Sequence, residues 1–172
     1  TGLAGLFVSL GSADADGRLV FCGFGASKVL VARLGVILVA ASLTTVVSVI
    51  VTSRSLSAES WATFTVANLL AALTYGLIGF VVGPRLGLLG GLYVMLALPF
   101  IDIGIGQNAM FDAAPPAWAT VMPAAGSVAM TLDAAFTPSM DDPGAVAAAA
   151  GWLLGLTLLA AWQFHRRTAA KA

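Results

Sequence analysis

Residues Leu34–Ser53 read LGVILVAASLTTVVSVIVTS, twenty residues without a charge, eleven of them Leu, Ile or Val. A helix needs about 20 apolar residues to cross the hydrocarbon core of a bilayer. At about −0.3 to −0.6 kcal/mol each, the eleven favour insertion by roughly 3–6 kcal/mol before the Ser and Thr residues subtract. A single arginine at mid-span would erase most of that gain, and none is present. The run is continuously apolar and lacks period-two alternation, so it reads as a helix and not as a barrel strand. It predicts the fold class: an all-α integral membrane protein, a polytopic helix bundle.

The rest of the chain agrees. Of 172 residues, 59% are hydrophobic and only 9% charged, where a soluble domain carries about a quarter charged residues. So few charges cannot cover a water-facing surface, and lipid must be the main solvent. Trp61 to Val82 is a second uncharged segment, opening after Ser57 and Glu59 as cap and first-turn acid. Gly83-Pro84-Arg85 makes a tight break, with proline suited to the first turn of another helix. That next span, Leu86 to Ile101, is short and has Pro99 near its end. The last, Ala145 to Phe164, is closed by His165-Arg166-Arg167. The apolar run Thr1 to Gly11 is too short to cross alone and reads as the second half of a span whose beginning is missing.

Lysine and arginine set the expected orientation. With the region before Leu34 in the cytosol, Arg18, Lys28, Arg33, Arg85, Arg166, Arg167 and Lys171 lie inside and only Arg54 outside. The opposite orientation would violate the positive-inside bias. Asp102, Asp112, Asp133, Asp141 and Asp142 then fall in one outer segment that has no Lys or Arg. Asp102 reads as interfacial, at a span end where solvation is cheap. The whole is one transmembrane domain, residues 1–172. Residues 12–33 form a cytosolic region, 102–144 an extracytoplasmic re-entrant or interfacial segment, and 165–172 a cytosolic tail. Two short helices are expected in the outer interface, near Ala117–Met122 and Ser127–Phe136. They would form a packed cap or contact a substrate.

Chemistry has little material. One cysteine, Cys22, and one histidine, His165, exclude an intrachain disulfide and leave no metal-ligand cluster. No G-x-x-x-x-G-K-[ST] phosphate loop is present. A zero formal net charge offers no footprint for nucleic acid. The four spans carry no ionisable group of the kind that proton- or sodium-coupled carriers use at membrane depth. Catalysis by the chain itself is not expected.

Two sets of small or polar residues remain. Ser42, Thr45 and Ser48 repeat every three positions on one span, and Thr65, Asn68 and Tyr75 lie on the next. Such groups bond neighbouring helices; Ser42, Thr45, Ser48 and Asn68 could instead line a substrate path. Gly83, Gly87 and Gly91 stand four apart, as do Gly151 and Gly155, a spacing that lets helix backbones approach closely. The cytosolic stretch Asp14–Lys28 is short and amphipathic, with glycines at 23 and 25, and Ser27 could cap the span after it. Its Phe21 and Phe24 would either lie among lipid headgroups or fill a partner's groove.

In order, three stretches resemble the membrane subunit of type-2 ABC exporters, especially actinobacterial ones: Gly17-Arg18-Leu19 through Gly25-Ala26-Ser27-Lys28 to Leu34; Gly90-Gly91-Leu92-Tyr93 through Leu98-Pro99-Phe100-Ile101-Asp102, with Gln107-Asn108; and Pro115-Pro116-Ala117-Trp118, Met122-Pro123 and Phe136-Thr137-Pro138. The resemblance covers nearly the whole chain. It implies a six-span permease whose N-terminal part is missing here, paired with a second permease half. A separate ATPase subunit would bind ATP and magnesium. The contact with that ATPase would fall on Arg18, Phe21, Phe24, Ser27 and Lys28. The substrate would be a lipid, drug or glycoconjugate. Gly23–Ser27 lacks the proline often found in this turn of the family. A non-transporting scaffold subunit, or a channel or secondary carrier, is the alternative on the residues alone.

Overall fold

The structure is a computed structural model and describes residues 1–11, 15, 18, 19, 22, 25–107, 115–137 and 142–169. Among these it is helical, without a strand. Five helices carry the fold: α1 (Gly2–Gly11), α2 (Ala26–Thr52), α3 (Trp61–Pro99), α4 (Ala125–Phe136) and α5 (Pro143–Ala169). A π-helical segment, Phe100–Gly106, continues α3, and a 3₁₀ turn, Ala119–Val121, precedes α4. Three helices are long and apolar enough to cross a membrane: α2, α3 with its π-helical extension, and α5. Their outer faces bear out the apolar-solvent reading. Val39, Leu43, Val47 and Val51 of α2, Leu89 and Tyr93 of α3, and Leu154 and Leu158 of α5 are all exposed, a belt that water would not tolerate on a monomer.

Helix α3 is two limbs, not one rod. Gly87 has φ 69° and ψ −171°, a left-handed conformation that is essentially restricted to glycine. The chain reverses there. Tyr75 and Asp102 would be about 40 Å apart on a straight helix, yet their side chains meet at 2.7 Å. Residues 61–86 and 88–106 therefore form a helical hairpin. This corrects the expected break: Pro84 lies inside the first limb, and the turn is Gly87. Two helix ends also differ from expectation. The N-cap of α3 is Ser60, whose hydroxyl meets Thr63 Oγ1 at 2.9 Å, so Ser57 does not cap. The N-cap of α2 is Gly25, which puts Ser27 and Lys28 in its first turn.

Helix α1 packs against α3 more closely than any other pair of elements. The seam is built of small residues, of which only Gly83 was expected to pack: Gly2, Gly5 and Ser9 on α1 face Gly76, Gly79 and Gly83 on α3. A Cβ at Gly5 would collide with the Gly76 carbonyl, and one at Gly79 with the Gly2 carbonyl. Helix pairs in apolar surroundings gain from such backbone approach through dispersion and packing. Leu6, fully buried, fills the space between Gly83 and Gly91.

The clusters give each helix its direction. Val29, Leu30, Ile37, Phe80, Val81, Ala160 and Phe164 pack together, so the start of α2 and the end of α5 lie at the Gly87 end. Ala58, Phe64 and Ala134 form a cluster at the opposite end. Lys28, Arg33, Arg85, Arg166 and Arg167 thus share the Gly87 end. Arg54 and Glu59 lie at the other, beside the start of α3.

Candidate functional site

The site begins with Asp102. Its place in the sequence suggests a solvated span end; the structure overturns that. Asp102 is 0% exposed because the second limb does not stop at Ile101 but continues as a π-helix to Gly106. Pro99, which lacks an N–H and crowds the preceding turn, stands directly before the change of winding. Single π-turns inside α-helices recur at functional positions. Counted from Gly87, Asp102 lies about 20 Å along its limb and Tyr75 about 18 Å along the other, while Trp61 lies about 39 Å away. The pair is therefore near mid-bundle.

Asp102 Oδ2 accepts two hydrogen bonds, from Tyr75 Oη at 2.7 Å and from the Ala124 backbone N–H at 2.9 Å. Both donors are neutral. Asp102 Oδ1 is buried without a partner, as are the hydroxyls of Thr74, beside Tyr75, and of Ser127, one turn beyond Ala124. Tyr75, Ala124, Met95, Leu77, Ile78 and Leu156 form the apolar cluster around this contact.

Ala124 is the N-cap of α4 and has no capping side chain of its own. The first turn of a helix leaves N–H groups without intrahelical partners and carries partial positive charge. Asp102, from another helix, supplies the missing acceptor, with the charge sign that this helix end favours. The segment before α4 tracks the second limb inward. Gln107 Nε2 donates to the Ala119 carbonyl at 2.7 Å, and Gly106 leaves room for the Trp118 indole, which would stand 2.8 Å from a Cβ there. Helix α4 then returns, and its Ala134 carbonyl accepts from the Ser60 N–H at 3.0 Å. This segment folds back into the bundle, from Asp102 at the start of α4 to Ser60 at its end. Gly126 permits the close approach of α4 to α5, since a Cβ there would meet the Ala145 carbonyl and Ala149 N.

The Gly87 end shows a complementary arrangement. Gln163 Nε2 donates to the Val81 carbonyl at 3.2 Å, and Arg167 Nη2 to the Pro84 carbonyl at 2.7 Å. The Pro84 carbonyl is among the last four of the first limb, which lose their intrahelical donors at the Gly87 turn, and the Val81 carbonyl lies one turn before it. Arg166 stacks over Trp162 at 4.6 Å. His165, Arg166 and Arg167 continue α5 and do not close it.

The residues expected to form sites fall into several groups. Ser48 Oγ donates to Asn68 Oδ1 at 3.4 Å, a long contact across the α2–α3 seam, and Asn68 also bonds its own helix at the Phe64 carbonyl. Thr45 is buried without a hydroxyl partner, and Ser42 is half-buried. Gly83 and Gly91 both serve packing against Leu6, while Gly87 makes the turn and has nothing near its missing Cβ. Gly151 and Gly155 are exposed and also have open space before them. Among the described residues they join no helix seam. Instead they floor a groove of about 490 Å³ between α5 and the 3₁₀ turn, walled by Val121, Trp152, Leu156 and Leu159. Arg18, Ser27 and Lys28 are exposed; Phe21, Phe24, Asp112, Asp141 and Lys171 lie outside the described residues. Among the described residues no group of His, Cys, Asp and Glu is placed to hold a metal ion.

Asp102 was legible as a residue but not as a site. The signal was Ile101-Asp102-Ile103-Gly104-Ile105, an acid flanked by apolar residues on both sides, which continues the span past its expected end.

Fold and site define an all-helical protein whose long apolar helices could cross a membrane, with a folded-back hairpin, a short helix packed against it and a buried carboxylate where these meet. Set against known protein families, curated proteins and solved structures, the chain matches none.

Proposed function

We propose that this chain is a permease subunit of an ATP-driven exporter of the type-2 ABC kind. It would sit in the cytoplasmic membrane with its Gly87 end in the cytosol. It would move a hydrophobic or amphipathic molecule, with ATP and magnesium bound by a separate ATPase and a second permease half completing the pathway.

The observation that carries this reading is the continuity of α2. Ser27 and Lys28 lie in the first turn of a 27-residue helix, at the end of the bundle that also gathers Arg33, Arg85, Arg166 and Arg167. A soluble motor can move membrane helices only by pushing on an element that protrudes toward it and continues rigidly into a span. Arg18, Phe21, Phe24, Ser27 and Lys28 would provide that contact. The positive-inside bias orients the same end toward the cytosol. Helix α4, which ends beside Ser60 at the far end, supports the reading as a separate element on the exit side.

A scaffold role is the second reading, favoured by the unfilled Gly151–Gly155 face of α5. Gentle detergent extraction of the full-length protein, with mass spectrometry of the molecules that stay bound, separates the two. The exporter reading expects a stoichiometric ABC ATPase that is lost when Phe21→Ala and Phe24→Ala are combined. An intact preparation that holds no ATPase would remove it.

A further inference from the structure

The first limb of α3 and helix α5 run parallel and finish together at the Gly87 end, and each finishes with an arginine. Arg167 Nη2 donates to the Pro84 carbonyl at 2.7 Å, which is the carbonyl of the peptide joining Pro84 to Arg85. The two arginines therefore stand side by side, both exposed. Each alone is favoured by its helix C-terminus; together their guanidiniums are close enough to repel. Arginine does not deprotonate in proteins, so only an anion between them relieves the repulsion. The described acids are Glu59, Asp102, Asp133 and Asp142, and none lies at this end; Asp14 and Asp16 lie outside the described residues.

The surroundings name the class of anion. Leu86, Leu88 and Leu89, which flank the Gly87 turn, are each more than half exposed. Leucines at the tip of a hairpin, next to two arginines, suit neither bulk water nor the hydrocarbon core. They suit the boundary between headgroups and acyl chains. Helix α5 marks the same level independently. Trp162 is half exposed under Arg166, at 4.6 Å, and Leu158 and Leu154 are exposed one and two turns earlier. An apolar stripe that ends in an aromatic and then a cation is the pattern of a helix leaving a membrane. An anion held at this height, beside exposed leucines, is a phosphate that carries acyl chains.

We propose that Arg85 and Arg167 together bind the phosphate of an anionic phospholipid in the leaflet that the Gly87 end meets, with its acyl chains against Leu86 and Leu89. Guanidiniums suit phosphate because their N–H donors pair with its oxygens, and Arg167 is already held in place by the Pro84 carbonyl. A zwitterionic headgroup would bring its own ammonium to the same two cations, so the site prefers net negative lipid. By bridging the arginines the lipid ties the end of α5 to the end of the first limb. The site goes beyond the exporter reading and needs no ATPase.

The test is binding of an acyl-labelled fluorescent phosphatidylglycerol to the full-length protein in an uncharged detergent, against phosphatidylcholine with the same chains. The native protein should prefer phosphatidylglycerol by about 25-fold, from about 5-fold for each arginine near a headgroup. Arg85→Gln and Arg167→Gln should each lose about 5-fold of that preference, and the two combined should bring the lipids to near parity. Arg85→Lys with Arg167→Lys keeps both charges and should retain most of the preference, which separates lost binding from lost folding. Arg54→Gln removes the same charge at the opposite end and should leave the ratio unchanged. Equal binding of both lipids by the native protein, or an unchanged preference in the combined Gln variant, overturns the proposal. So does an equal loss in Arg54→Gln, which would make the effect one of net charge. Displacement of phosphatidylglycerol by millimolar inorganic phosphate at constant ionic strength would give the site to a soluble phosphate, again overturning it. An ATPase that co-purifies with the native protein and is lost from the combined Gln variant, without any lipid preference, would give the pair to an acidic protein surface instead.

Discussion

The two ends of the hairpin's surroundings solve one problem with opposite charges. At the Gly87 end, carbonyls of the first limb are met by Gln163 and Arg167 from α5. At mid-bundle, the N-terminus of α4 is met by Asp102 from the second limb. A helix end carries partial charge, negative where carbonyls are left and positive where N–H groups are left, and each end here receives the matching side chain from a different helix. The difference is solvent. Arg167 is exposed and water can replace it. Asp102 is fully buried, and nothing replaces it.

That contrast orders the expected effects. Asp102→Leu strands the Tyr75 hydroxyl and the Ala124 N–H in an apolar cluster, at about 1–3 kcal/mol each. The bundle should lose about 2–5 kcal/mol of stability, read as a large fall in thermal midpoint in detergent; a fall no greater than that of a surface variant would erase the contrast. Gly87→Ala forces a Cβ into a left-handed conformation and should cost about 1–3 kcal/mol, with no contribution from overlap because nothing lies near the added atom. Gln163→Leu removes one hydrogen bond to the Val81 carbonyl and should cost about 0.5–1.5 kcal/mol. Arg167→Met should fall within about 0.5 kcal/mol of the native protein, measured on the same scale. If Arg167→Met rivals Asp102→Leu, the two ends are not distinguished by solvent.

Much of the architecture could be read from residues alone, because spanning helices are set by composition and length. The uncharged run from Leu34 to Ser53 lies within α2 up to its C-cap, Ser53, and a reversal near Gly83-Pro84-Arg85 was visible although it falls at Gly87. What stayed hidden depends on contacts between distant residues. Gly2, Gly5, Gly76 and Gly79 look like ordinary small residues until α1 and α3 are brought together, whereas Gly151 and Gly155 have the familiar spacing and open space before them among the described residues. Spacing along one helix gives a face but not its partner. Asp102 escapes a sequence reading for a related reason. A charge ends a span in a count of apolar residues, but here the winding continues past it because Tyr75 and the N-terminus of α4 receive the carboxylate.

The central claim is that this bundle sits in a membrane with its basic, Gly87 end inward, and cysteine labelling tests it most directly. In intact cells an impermeant thiol reagent should not reach native Cys22, which is exposed and four residues before α2, until the membrane is permeabilised. With Cys22→Ser as background, Ser57→Cys, exposed near the start of α3, should label in intact cells. Labelling of Cys22 from outside together with protection of the Ser57 position would contradict the orientation, and with it the side on which an ATPase could dock.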